Sequence, residues 1–523
     1  MPSTRSRLPR PLYTAEQVRE LDRLAMDRHG ITGFTLMKRA ASTALSAVLE
    51  CWPQTRHMLV FAGPGNNGGD GYLMSALAHG KGIQADVFQV GPHSKLRGDA
   101  REAFQLATDA GVSCMPFNET VFDDSVPGLR QAVGQVVIVD ALLGTGLDRD
   151  VSGEFKQAID RINASGLPVA AVDVPSGINS DTGARMGAAI NARLTVTFIG
   201  MKQGLLTGKA VDHVGEIQFS DLDVPDSLYT DRDAPSPSSQ RIDLGQLTNL
   251  LMPRRPSSHK GNFGHVLVIG GDHGLGGAVI MAAEAAARSG AGLVSVITRS
   301  AHRSAALARR PELMILGTED EPAESDRVLQ AANVIVVGPG LGNSGWGRHW
   351  FQIALREQAT RKAPLVVDAD GLNLLAEKHA ASAKAKRDNW ILTPHPGEAG
   401  RLLGTTAAQI ENDRFVNVKR LQQRWGGCVL LKGAGSVLCF PGAVDSQVEL
   451  CSAGNPGMAS GGMGDVLTGI IAGLVAQGLS LPDSLRLAVC LHGECGDMAA
   501  ANGTRGLLAT DLFSFIRQAL NPH

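Results

Sequence analysis

The sequence predicts two consecutive α/β domains, each built on a parallel sheet with helices on both faces. Three observations carry that prediction. Short apolar runs alternate with stretches of helical period in both halves of the chain. A Pro-, Ser- and Asp-rich segment, Asp223 to Asp243 (DVPDSLYTDRDAPSPSSQRID), has neither period and reads as a linker between the halves. Glycine supplies 62 of the 523 residues and aromatics only 4 %, a balance that suits turn-rich folds with backbone-lined pockets. The expected limits are a tail at 1–12, a first domain at 13–222, the linker at 223–245 and a second domain at 246–523. No internal repeat relates the two halves.

The first half opens with a helical pattern from Thr14 to Met26, where Thr14 and Gln17 have the spacing of a capping box. Apolar runs follow at Met58–Ala62, Val87–Val90, Val136–Val139, Val169–Val172 and Leu194–Ile199. Helical stretches such as Gly98–Ala110 and Phe155–Asn163 separate them. The second half repeats the style, with runs at His265–Ile269, Leu293–Ile297, Val334–Val337, Leu365–Val367, Trp390–Leu392 and Val429–Leu431. Helices at Ala278–Ser289 and Asp465–Ala476 intervene.

Composition excludes several functions. Lys and Arg total 49 against 51 Asp and Glu, a formal net charge of −2, so no global positive field attracts nucleic acid. With 43 % hydrophobic and 19 % charged residues, the chain is not disordered at large. Seven cysteines, an odd number with no C-x-x-C, argue against a disulfide framework and for a reducing compartment. Arg5, Arg7 and Arg10 precede no apolar stretch of the kind a secretory signal needs. The longest apolar run, Val466 to Val475, falls short of the roughly 18–20 residues of a membrane span. The expectation is a cytoplasmic homo-oligomer that binds small molecules, with no nucleic-acid or membrane partner.

In open parallel sheets, ligands bind at the C-terminal ends of strands. After Met58–Ala62 comes Gly63-Pro64-Gly65-Asn66-Asn67-Gly68-Gly69-Asp70-Gly71, with a helix expected from Tyr72. Such a loop brings backbone N–H groups close to a phosphate. Gly63, Gly65 and Gly68 satisfy G-x-G-x-x-G formally, but Asp86 stands at the start of the next strand rather than its end, so hydride transfer is not supported. Asp140 and Asp173 each end a strand; Ala141 to Leu147 follows the first and Val174-Pro175-Ser176-Gly177 the second. One carboxylate could hold a cation and the other move a proton. Asn67, Asp140 and Ser176 are all oxygen donors, which favours a hard cation. The structural alternatives are a tight turn for the loop and helix caps for the aspartates.

In the second half, Gly454 to Asp465 ends in Gly461-Gly462-Met463-Gly464-Asp465 just before an apolar helix. Amides at that helix start form an anion hole with Asp465 at its mouth, an arrangement suited to phosphoryl transfer. Pro394 and Pro396 fix the backbone around His395. Lys432-Gly433-Ala434-Gly435-Ser436 follows another strand and suits a nucleotide. Asp368 and Asp370 are further strand-end carboxylates, and Gly340, Gly342 and Gly345 make a second formal G-x-G-x-x-G without a matching acid. There is no Walker A, H-E-x-x-H or G-x-S-x-G sequence.

Taken together, these residues resemble the family of bifunctional NAD(P)H-hydrate repair enzymes over nearly the whole chain, from about Tyr13 to Leu520. The first-half marks are NNGGDG (Asn66–Gly71), Asp140 with Gly144-Thr145-Gly146, and DVPSG (Asp173–Gly177). The second-half marks are His259-Lys260-Gly261, GPGLG (Gly338–Gly342), DADG (Asp368–Gly371), TPHPGE (Thr393–Glu398), KGAGS (Lys432–Ser436) and GGMGD (Gly461–Asp465). The resemblance implies two three-layer α/β/α domains: a Rossmann-like epimerase domain, then a ribokinase-like, ADP-dependent dehydratase domain. It implies exchange of the R and S forms of hydrated NADH or NADPH, followed by dehydration of the S form at the expense of a nucleotide phosphate.

By the same resemblance, Asn66, Asn67, Gly68, Gly69, Asp70, Gly144, Thr145, Gly146, Leu147, Asp148, Arg149, Asp150 and Asp173 would contact the hydrate in the first domain, with Asp173 as proton carrier. Asn67, Asp140 and Ser176 would hold K+. In the second domain Ala278, Gly342, His395 and the catalytic Asp465 would contact the hydrate. Lys432, Gly433, Ala434, Gly435, Ser436 and Gly464 would contact ADP, and Mg2+ is a candidate companion of the nucleotide. Two alternatives stand beside this reading. A small-molecule kinase of the ribokinase-like type would share Gly461–Asp465, but not the first-half constellation. A nucleotide sensor with decayed catalysis would need neither Asp173 nor Asp465.

Overall fold

Buried Val, Ile and Leu runs at intervals of about one helix give parallel strands in both halves. A computed structural model of the chain describes residues 8–132, 134–319, 322–379, 386–442 and 448–521. Residues 1–7 of the expected tail, with Arg5 and Arg7, and residues 522–523 lie outside the described residues. The chain divides into two compact units, Met1–Gln240 and Arg241–His523.

The strands of the first unit are β1 (Pro11–Leu12), β2 (His57–Ala62), β3 (Gln84–Gln89), β4 (Ser113–Pro116), β5 (Val136–Ala141), β6 (Val169–Val172), β7 (Leu194–Phe198) and β8 (Glu216–Ser220). All neighbours in the sheet β4-β3-β2-β5-β6-β7-β8 are parallel. The winding direction reverses between β2 and β5, so the crevice for a ligand opens at the C-terminal ends of these two strands. Helices Ala15–His29, Gly33–Cys51, Asn66–Gly80 and Gly98–Asp109 cover one face of the sheet. Glu119–Gln131 and Gly153–Ala164 cover the other.

The first helix starts as its sequence predicts: Gln17 N–H donates to Thr14 Oγ1 at 3.3 Å and Thr14 N–H donates to Gln17 Oε1 at 2.9 Å. The expectation of a helix from Tyr72 is corrected. The helix begins at Asn66, so NNGGDG is its first turn and a half rather than a loop. Glycine's low helix propensity is overruled by packing: a Cβ on Gly68 would stand 1.9 Å from the Gly63 carbonyl oxygen. The segment Asp223 to Asp243 also carries structure. It holds a short helix, Ser227–Thr230, anchored by buried Leu228, and β9 (Ser239–Ile242). Pro11 and Leu12 of β1 pair antiparallel with Gln240 and Ser239.

The second unit adds β10 (His265–Ile269), β11 (Leu293–Thr298), β12 (Met314–Gly317), β13 (Val334–Val337), β14 (Leu365–Val367), β15 (Trp390–Leu392), β16 (Cys428–Leu431), β17 (Ser436–Cys439) and β18 (Val448–Cys451). Within this unit the sheet runs β18-β17-β16-β15-β14-β13-β10-β11-β12. It is parallel from β16 to β12 and antiparallel from β16 to β18. The winding reverses between β10 and β13. Helices Gly276–Arg288, Met463–Ala476 and Leu481–Ala499 share one core with the sheet. Among the described residues, no helix is long and apolar enough to cross a membrane.

Candidate active sites

The crevice of the first unit is a cavity of about 760 Å³ at the ends of β2 and β5. Asn66, Asn67, Asp70, Asp173 and all seven residues from Gly144 to Asp150 line it. Gly68 and Gly69 do not: they are buried beneath its floor, against Gly63 and Met37. Asp173 follows β6 with φ +66°, a left-handed backbone that is uncommon for a side-chain-bearing residue. Its carboxylate accepts from Lys202 Nζ at 2.5 Å and from Thr197 Oγ1 at 3.1 Å. Lys202 is only 1 % exposed and also donates to the Phe198 carbonyl at 2.9 Å.

Two more carboxyls share this charge. Burial, opposed by Lys202 and aided by Asp173, pushes Asp22 up to about 6. Burial, together with the charges of Asp173 and Asp22, holds Asp70 well above the ordinary carboxylate range. Sequence reasoning missed both Asp22 and Lys202. Lys202 lies three residues past the Leu194–Ile199 run, so carrying the reading further beyond that strand end finds it. Asp22 looks like any acid on an amphipathic helix and carries no such signal.

Asn67, Asp140 and Ser176 converge below the cavity. Ser176 donates to Asp140 from its hydroxyl at 2.6 Å and from its backbone at 2.7 Å. Leu143 N–H donates to Ser176 Oγ at 2.8 Å, and Asn67 Nδ2 donates to the Leu143 carbonyl at 3.0 Å. Burial raises the Asp140 carboxyl to about 6 despite these bonds. Asn67 Oδ1 is buried without a hydrogen-bond partner among the described residues. An orphaned amide oxygen beside a buried carboxylate and a hydroxyl fits an oxygen-ligated cation such as K+.

In the second unit, the ends of β14, β15 and β16 bring Asp368, His395 and Lys432 to one edge. Lys432 Nζ donates to Asp368 Oδ1 at 2.6 Å, and Thr468 Oγ1 donates to Asp368 Oδ2 at 2.7 Å. Asp465 sits in the first turn of Met463–Ala476, where burial lifts its carboxyl to about 7, with Asp368 and Asp370 adding and Lys432 opposing. A Cβ on Gly464 would stand 3.3 Å from Lys432 Nζ, so the glycine amides, the ammonium and Asp465 crowd together. Ala369, between the two aspartates, has φ +47°.

His395 caps the helix Pro396–Leu403. Its Nδ1 accepts from Gly397 N–H at 3.0 Å and its own N–H donates to Glu398 Oε2 at 2.8 Å. Burial, Lys432 and Arg401 lower its pKa below the ordinary imidazole value. Burial raises Glu398 to about 7. Gly342 N–H donates to Asp370 Oδ2 at 2.8 Å, and a Cβ on Gly340 would touch the Ala278 side chain at 3.3 Å. Ala278, Gly342, Asp370 and Asp465 therefore follow one another along one rim. The loop Gly433-Ala434-Gly435-Ser436 adjoins it and is held from behind by Arg414. That guanidinium is fully buried and donates to the Leu431 and Lys432 carbonyls at 3.0 and 3.1 Å. Arg414 was not legible as a site residue, because it lies on a helix with no motif around it; Thr468, one turn past GGMGD on the same helix, was missed although its neighbours pointed to it.

Comparison with known proteins covers both units. Residues 33–204 match the family described as YjeF-related protein N-terminus, and residues 266–518 match NAD(P)H-hydrate dehydratase. The chain is 44 % identical to the bifunctional NAD(P)H-hydrate repair enzyme Nnr of Coxiella burnetii, over 98 % of this chain and 99 % of that one. Identity to the enzyme of that name from Escherichia coli is also 44 %, over 98 % and 95 %. A solved ribokinase-like superfamily protein from Enterococcus faecalis V583 aligns at 31 % identity and TM-score 0.50, over 54 % of this chain and 95 % of its own. The second unit thus has the ribokinase-like fold. Since both halves match in order, and relatives align along almost their full length, the chain belongs to the family of bifunctional NAD(P)H-hydrate repair enzymes.

Proposed function

We propose that the first unit exchanges the R and S forms of hydrated NADH and NADPH, and that the second dehydrates the S form using ADP. The observation that carries the second step is Asp465 at the mouth of the glycine amides, with Lys432 fixed beside it by Asp368 and Thr468. Hydroxide leaves an alcohol poorly. Asp465 takes the proton from the hydroxyl as the hydroxyl oxygen attacks the terminal phosphorus of ADP. The P–O bond to AMP breaks, and the amides around Gly464 with the Lys432 ammonium offset the charge on the moving phosphoryl group. The ring nitrogen then expels phosphate, and loss of a proton from the adjacent ring carbon restores the double bond, leaving the reduced cofactor, AMP and phosphate. Lys432 to Ser436 hold the nucleotide, while Ala278, Gly342 and His395 hold the hydrate.

In the first unit, the walls from Asn66 to Asp70 and Gly144 to Asp150 hold the hydrate, and Asp173, hydrogen-bonded by Lys202, moves the proton. Asn67, Asp140 and Ser176 would hold K+, whose charge would offset that of Asp140 under the cavity floor. The seven free thiols suit a reducing cytoplasm, and self-association belongs to the same proposal. One experiment tests it. Mixed hydrate epimers, ADP and the purified chain should regain the absorbance of the reduced cofactor with release of AMP. A stable phosphoester accumulating instead would make the second unit a kinase.

A further inference from the structure

The first cleft holds more acid than the proposed exchange has yet used. Asp22 reaches it from the helix Ala15–His29, ahead of the matched residues 33–204. Asp70 comes from the helix after β2, Asp173 from the end of β6, and Lys202 from beyond β7. Asp22, Asp70 and Asp173 thus gather around Lys202, whose ammonium is committed to Asp173 and the Phe198 carbonyl. Asp22 has no hydrogen-bond partner among the described residues, and its side chain lines the cavity. The charged and titratable groups around it are Arg19 on its own helix, Asp70, Asp173 and Lys202 across the cleft, and Tyr229 from the segment after β8. Burial and mutual repulsion raise these carboxyls, Asp70 furthest and Asp22 to about 6, and of the two Asp22 is the one left without a hydrogen-bond partner on the cavity wall among the described residues.

We propose that Asp22 is a second catalytic residue of epimer exchange: its carboxylic acid protonates the departing hydroxyl, while Asp173 takes the proton from the water that adds back. The inference rests on the epimerase reading of the first unit. The ring nitrogen pushes out the C–O bond, and the hydroxyl leaves as water with the Asp22 proton. Water then adds to the other face of the planar carbon, and its proton goes to the Asp173 carboxylate. Passage of that proton from Asp173 to Asp22 closes the cycle, with no net gain or loss.

The test uses the full chain, both epimers and H2 18O. Wild type should exchange epimers with 18O entering the hydroxyl, at a rate that falls as pH rises through about 6, where Asp22 loses its proton. Asp22→Asn should slow exchange by about 100-fold or more, abolish that alkaline fall, and leave dehydration of the S form intact. Asp22→Glu should restore part of the rate with the fall displaced in pH. Exchange by D22N at the wild-type rate, with the profile unmoved, overturns the proposal. If D22N does not fold, a D22E profile that coincides with wild type overturns it equally. A wild-type chain that exchanges nothing overturns the epimerase reading itself, and Asp22's role with it.

Discussion

Asp465 shows how much one side chain must reconcile. It has to be ionised to accept a proton, yet burial and two neighbouring aspartates hold its pKa near 7. Dehydration should therefore rise with pH through about 7 and then level off. Asp465→Asn should lower dehydration by about 100- to 10,000-fold while epimer exchange continues, measured on the same sample by cofactor absorbance and by separation of the epimers. His492 makes a separate prediction about stability. It is buried, hydrogen-bonds the Met463 backbone, and burial depresses its pKa from 6.5 to about 4. The unfolded chain takes up that proton first, so this contribution is full above pH 6.5 and is lost as pH falls toward 4. It is worth roughly 3 kcal/mol over that window. Urea titrations of wild type and His492→Gln at several pH values should differ in slope across that window; parallel slopes would count against it.

At the scale of elements, Met463–Ala476 is placed by contact with Gly276–Arg288. A Cβ on Gly469 would stand 2.1 Å from the Ala282 carbonyl oxygen, a distance that only glycine allows. Gly469→Ala must part the two helices, and overpacking of this kind costs about 1–3 kcal/mol. Because Asp465 rides on the displaced helix, we expect a lower melting temperature together with slower dehydration, and unchanged exchange. The apolar runs at β2, β5, β6, β7 and β13 to β16 were legible because these strands are buried on both faces. The polar strands β4 and β8 were not, since each is an edge of its sheet and Ser113–Pro116 and Glu216–Ser220 are only partly buried. The helical start at Asn66 was hidden for another reason: close approach of backbones, which the sequence does not display, outweighed the propensity of three glycines.

Over the whole molecule, each unit gathers its own candidate residues at the C-terminal ends of its own parallel strands. The strand-end rule therefore brought most of the candidate residues into view before any geometry. The support of Arg414 behind the Lys432–Ser436 loop emerges only when the chain is folded. Separate clefts predict separable chemistry. In the full chain, Asp173→Asn should stop exchange alone, so that with excess ADP only the S portion of a mixed substrate returns to reduced cofactor. Residual R epimer, counted by chromatography, checks this. Complete recovery would show that the second unit accepts both forms.

Ala369, the left-handed residue between Asp368 and Asp370, leaves a practical trap. Glycine would adopt that backbone about 1–2 kcal/mol more easily. It would also loosen the turn that aims two carboxylates. A library ranked by heat tolerance alone would climb toward Gly at this position, and the turnover forfeited on the way would never register in the score.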